Sequence, residues 1–248
     1  VTRSIISGTV GTTKLTLTGT EEVYLTIRDV DLSELMAFAQ TFTLPTSDGT
    51  ADQVLKTDGS GVLGFADAAG GGGGLVPISK ATASASATID IALTGGYSAY
   101  CLRLNKVQPA TDSVDLYFRT SEDSGSTYDS GASDYKYANT YRTVSSTTPT
   151  ANNSTGAAQI VVKPPDSVLG NATAEHITGE LWIYPGNGTF YTTMRWDFVA
   201  RGRLGTPGFI YGMAAREDVT RITHIRALMS SGNISVGEFH LYGIADGA

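Results

Sequence analysis

The chain has 248 residues, a mass of 26.0 kDa and a formal net charge of −7. Gly, Thr and Ser together supply 84 residues, about a third, while only 17 % are charged. That excludes a disordered acidic tail or a coiled coil, which need more charge, and a helical bundle, which so much Thr and Gly disfavours.

Residues 1–44 form a first zone, which the reading takes as an N-terminal docking segment. The chain starts at Val1 rather than Met, which suggests a processed chain or a fragment, and no basic start followed by an apolar run marks a secretory leader. In Lys14–Thr18 Leu alternates with Thr, and Val23, Leu25 and Ile27 share one face, so two short strands are predicted. Asp31 and Glu34 have N-cap spacing, and Leu32, Leu35, Met36 and Ala39 recur at helical spacing. A short helix over 32–40 is therefore expected, ending before Pro45.

Residues 45–74 are punctuated by glycine. Asp48-Gly49 recurs as Asp58-Gly59, and Val54-Leu55 and Val62-Leu63 are the short apolar segments beside these turns. Such segments are too short to bury a core within one chain, which points to an oligomeric stalk. Five glycines, Gly70 to Gly74, read as a flexible linker and a domain boundary.

Residues 75–248 read as one all-β domain. Alternation predicts strands at 100–104, 114–119, 181–184, 194–198, 225–229 and 239–241, with turns at Pro185–Gly188 and Ser231–Asn233. Six such strands suggest a β-sandwich or jelly roll. Met194, Trp196 and Phe198 are expected in its core. Residues 121–158, rich in Ser, Asp, Gly, Thr and Asn, are expected to be long polar loops. Cys101 stands alone, so no intrachain disulfide framework is expected.

The segment LPTSDGTADQVLKTDGSGVLGFA at 44–66 resembles a motif repeated across tail fibres and other virion appendages of tailed bacteriophages. The matching positions are Asp48, Gly49, Thr50, Gln53, Val54, Leu55 and Thr57 to Gly61, with Phe65 at the aromatic ending. ISVGEFHLYGIA near the C-terminus is similar to the end of small jelly-roll domains at fibre tips. The resemblance implies a homotrimeric virion protein whose N-terminal part docks on other virion structural proteins and whose distal β domain is a tip. It assigns no catalytic residue and does not separate a tail from a head location.

Candidate chemistry is sparse. Asp112, Asp115, Glu122, Asp123, Asp129 and Asp134 could supply paired carboxylates for glycan cleavage, although solvated loop charges account for them better. Asp123, Asp129 and Asp134 suit a calcium ion in residue type but not in spacing. His176, His224 and His240 lack ligand spacing, and neither a nucleophile elbow nor a phosphate loop is present. No cofactor, no metal and no enzymatic activity are expected. Arg195, Arg201, Arg203, Arg216, Arg221 and Arg226 make a locally basic stretch, read as an anion-binding patch or, preferably, as internal ion pairing. Trp182, Tyr184 and Tyr191 flank the Pro185–Gly188 turn and are read as a sugar platform or, preferably for Trp182 and Tyr184, which share a strand face, as core.

The reading is therefore an all-β, homotrimeric virion appendage that attaches to a host-surface glycan or receptor. The alternatives are a head fibre or capsid-decoration protein and, last, a glycan-depolymerising spike. Tyr135, Tyr137 and Tyr141, at spacings of two and four that put them on one strand face, are the receptor-contact candidates, taken as an exposed aromatic group. Leu32, Leu35, Met36, Val54, Leu55, Val62 and Leu63 are the candidates for virion or trimer contact. Neither nucleic-acid binding nor membrane insertion fits an acidic chain without a long apolar run.

Overall fold

A computed structural model describes residues 43–50, 53–67, 74–164 and 168–245. The predicted strands at 14–18 and 23–27, the helix over 32–40, and Leu32, Leu35 and Met36 with it, lie outside the described residues. The chain divides into two compact units, residues 1–68 and 69–248. The described residues of both are all-β, with every paired strand antiparallel.

In the first unit, β1 (Gln53–Thr57) pairs with β2 (Leu63–Asp67), Leu55 facing Phe65 across the ladder. The connection explains the spacing of its residues. Gly59 and Gly61 hold φ of 86° and 91°, which favours glycine. The Asp58 carboxylate accepts the N–H groups of Ser60 at 2.7 Å and Val62 at 3.1 Å, and the Thr57 hydroxyl accepts from Gly59. Upstream, the Gln53 side chain accepts the Thr50 N–H at 3.0 Å, and a Cβ on Gly49 would collide with the Phe65 ring. Thr43 adds a parallel bridge to Val62.

The second unit has two sheets around one core. The larger runs β3 (Leu75–Ser86), β14 (Ile234–Ile244), β5 (Tyr100–Pro109), β10 (His176–Tyr184), β11 (Thr193–Arg201), β12 (Pro207–Arg216), β7 (Tyr135–Thr143), β8 (Thr150–Ala157). The smaller runs β4 (Thr88–Ala92), β13 (His224–Met229), β6 (Leu116–Ser121), β9 (Ile160–Val162). Inward residues alternate as a half-buried strand demands. Tyr100, Leu102 and Leu104 on β5, Leu181 and Ile183 on β10, and Met194, Trp196 and Phe198 on β11 meet Leu116, Phe118, Ile225 and Ala227 of the smaller sheet. All six strands anticipated from alternation are present, and the core assignment of Met194, Trp196 and Phe198 holds.

Two expectations need correction. Residues 121–158 are not loop throughout: β7 and β8 occupy 135–143 and 150–157, leaving connections of 122–134 and 144–149. Polar composition hid β8, an edge strand of Thr, Asn, Ser, Gly and Ala that buries little. Trp182 and Tyr184 are not core. The inward positions of β10 are Ile177, Leu181 and Ile183, so the even positions face outward.

Candidate functional site

The expected exposed tyrosines turn inward. Tyr135 is fully buried, and Tyr137 and Tyr141 pack against the core from the same face of β7. The Tyr135 hydroxyl accepts the Thr120 N–H at 2.7 Å and lies 2.9 Å from the Thr120 hydroxyl. Burial pushes its pKa upward against those hydrogen bonds. Alternation in a polar sequence correctly placed the three on one face, but the face is the buried one. Tyr135 is therefore a structural residue, and the three tyrosines form no exposed aromatic platform.

The buried tyrosine belongs to a polar network that absorbs part of the acidic cluster. The Thr120 hydroxyl donates to Asp129 at 2.8 Å, and Asp129 accepts from Arg216 Nε at 2.7 Å. Arg216 also reaches Glu122 at 2.5 Å and donates to the Thr220 carbonyl at 3.1 Å. Burial works against its charge, yet the hydrogen bonds to Asp129 and Glu122 outweigh it and raise its pKa. Asp115 pairs with Lys163 at 2.6 Å, and Asp123 folds its loop by accepting from Thr127 and Ser121. These bonds hold the Asp123 carboxyl far below the usual carboxylate range. Asp123, Asp129 and Asp134 thus serve different partners, and among the described residues no His, Cys, Asp or Glu group is arranged to hold a metal. Of the basic stretch, Arg216 and Arg226 are internally paired, the latter with Asp90 at 2.6 Å.

The exposed chemistry lies on the outer face of the eight-stranded sheet. Glu180 accepts from Arg103 at 2.9 Å and from the Trp182 indole at 3.2 Å, and Arg195 lies 5.2 Å over the Trp182 ring. Glu238 accepts from Lys80 at 2.6 Å and Asn105 at 3.3 Å and lies 3.1 Å from His240 Nε2. Those contacts, led by Lys80 and His240, bring its pKa down to about 2. Beside this polar half runs an apolar strip: Val199, Tyr211 and Met213 are exposed, Met213 at 61 %, with the Phe209 ring tilted against Tyr211 at 4.8 Å. The Trp182 and Arg195 part was partly legible in the sequence. The strip was missed because β12 was not recognised as a strand.

Cys101 sits on this same face, between Tyr242 and Trp182, and is wholly covered. Burial, with the Glu180 charge second, pushes its thiol from an ordinary value near 9 up to about 11. Because the folded pKa is raised, its contribution to stability is complete below about pH 9 and is lost as pH climbs through 11. At pH 8 the folded protein is expected to resist iodoacetamide, and the chain in denaturant to react fully. Mass spectrometry reads the difference, and equal labelling in both states would contradict the burial.

The stalk candidates are exposed. Val54, Leu55 and Val62 are each about half accessible, Phe65 is exposed beside them, and Leu63 is partly buried. No protein family, characterised protein or solved structure matches this chain.

Proposed function

We propose that the chain is a subunit of a homotrimeric appendage on a tailed-bacteriophage virion. In this reading residues 1–44 dock on other virion proteins, and the C-terminal unit is a tip that meets the host surface. The tip is then a jelly-roll-like sandwich widened to eight strands in one sheet. The carrying observation is the β1–β2 hairpin. Its fibre-like motif folds into a locally specified turn, yet Val54 stands on one face and Leu55 and Phe65 on the other, all exposed. A two-stranded ribbon with apolar side chains on both faces is marginal alone and gains a core when copies pack together. The outward-facing aromatic and charged residues of the larger sheet supply a surface suited to contact with another molecule.

Sedimentation of the full chain at micromolar concentration tests this. The expected species has three times the 26.0 kDa chain mass. Val54→Asp combined with Leu55→Asp is expected to shift it toward the single-chain mass, because charge would be forced into the shared core. An unmodified chain that sediments as a monomer overturns the reading.

A further inference from the structure

Backbone irregularities gather at one place on the outer face of the eight-stranded sheet. The β10–β5 register shifts between Ile177 and Gly179, and β14–β5 shifts around Val236. Gly179 and Gly237 hold φ of 146° and 139°, and Lys106 holds 52°. A Cβ on Gly179 would strike the Asp197 carbonyl. Bulges re-aim side chains, and they recur next to functional sites.

Two adjoining depressions open where these bulges lie, sharing Asn105 and Thr178. The first, about 350 Å³, is bounded by Arg103, Glu180, His240 and Tyr242. Its carboxylate is already engaged by Arg103, and Tyr242 offers a ring with Arg103 5.5 Å above it. The second, about 440 Å³, is lined by Lys106, His176 and Arg201 with the apolar Val199 and Pro207, and no carboxylate lines it. Among the described residues none of its three basic side chains forms an ion pair. His176 and Arg201 face each other across the ladder, and the Lys106 N–H donates to the Thr178 hydroxyl at 3.0 Å, which fixes that corner. A carboxylate-free basic hollow stands out on a chain of net charge −7.

We propose that the two depressions form one trough that binds an acidic oligosaccharide. The anionic substituent lies among Lys106, His176 and Arg201, and a neutral sugar ring lies against Tyr242 between the hydrogen-bonding groups of Asn105 and Glu180. A continuous polyanion such as nucleic acid fits less well, since Glu180 and Glu238 would repel it one step along the trough. The inference rests on the reading that the C-terminal unit meets a cell surface, and it names the chemistry met there.

The test applies the full chain to an array of oligosaccharides bearing uronic acid, sialic acid or phosphate, each beside its uncharged counterpart. Retention of acidic members about tenfold above the uncharged ones is expected, from charge-assisted hydrogen bonds. Lys106→Asn with Arg201→Gln should remove most of that retention at an unchanged melting temperature, Asn being chosen because it tolerates positive φ. Tyr242→Ser should weaken the acidic ligand without restoring the neutral one. Equal retention of neutral members, undiminished binding by the double variant, or displacement by oligothymidylate as readily as by saccharide would overturn the trough. A chain that adheres to host cells but retains no array member overturns this inference alone. A chain that adheres to no cell while still retaining acidic saccharides overturns the attachment reading instead.

Discussion

Arg216→Ala is expected to lower the unfolding free energy by about 3 kcal/mol, the low end of what removing one partner of a buried ion pair costs. Its side chain is only 4 % accessible and stands on the inward face at the end of β12. Loss of the guanidinium leaves Asp129 largely buried without its cation, and Asp129 also holds the Thr120 hydroxyl that lies beside Tyr135. Glu122 is partly solvated, so its share is small. The damage therefore spreads from β12 to β6 of the opposite sheet. Arg216→Lys keeps a charge but not the fork that spans Asp129, Glu122 and the Thr220 carbonyl, so it is expected to lose less than Ala and more than nothing. Denaturant titration reads both variants as a lower midpoint at constant slope. An unchanged midpoint for Arg216→Ala would show that the network contributes no stability.

Trp196→Ala is expected to cost about 3–5 kcal/mol, a large part of the ~5–15 kcal/mol that holds a domain folded. The ring is 3 % accessible and flanked along β11 by buried Met194 and Phe198. It lies directly over Gly212 of β12, where any Cβ would overlap the indole. Among the described residues its N–H finds no acceptor. Two consequences distinguish packing from hydrogen bonding. Trp196→Phe should lose far less than Ala, because it keeps most of the ring volume and removes an orphaned donor. Gly212→Ala should destabilise the natural chain but be tolerated beside Trp196→Ala, so that the pair couples strongly in a double-mutant cycle. Additive losses would contradict the close contact.

The sequence was most legible where burial and alternation coincide. Met194, Trp196 and Phe198 alternate with Arg195 and Asp197, and such a strand has one stable orientation. The same logic failed at Tyr135, Tyr137 and Tyr141. Polar Asn139 shares their face and Lys136 and Arg142 the other, so the local pattern did not decide which face is inward. Arg216 and Thr120, 96 positions apart, decide it by closing a network around the Tyr135 hydroxyl and Asp129. β12 was missed for a related reason: Gly208, Gly212, Ala214 and Ala215 make a weak apolar signal, and Gly212 is small because Trp196 needs the space. The trough was invisible because it arises from register shifts between β5, β10 and β14, which no single segment encodes. The turn at Thr57–Gly61 was legible, since the Thr57 and Asp58 side chains accept N–H groups from residues two to four positions on.

The central claim is that this chain projects from a virion. Antibody raised against residues 75–248 and applied to intact particles made by cells that express the coding sequence, viewed by electron microscopy, tests it most directly. The account predicts label on projections from the particle surface. Particles that contain the chain by mass spectrometry yet take no label while intact, or particles that lack the chain altogether, would contradict it.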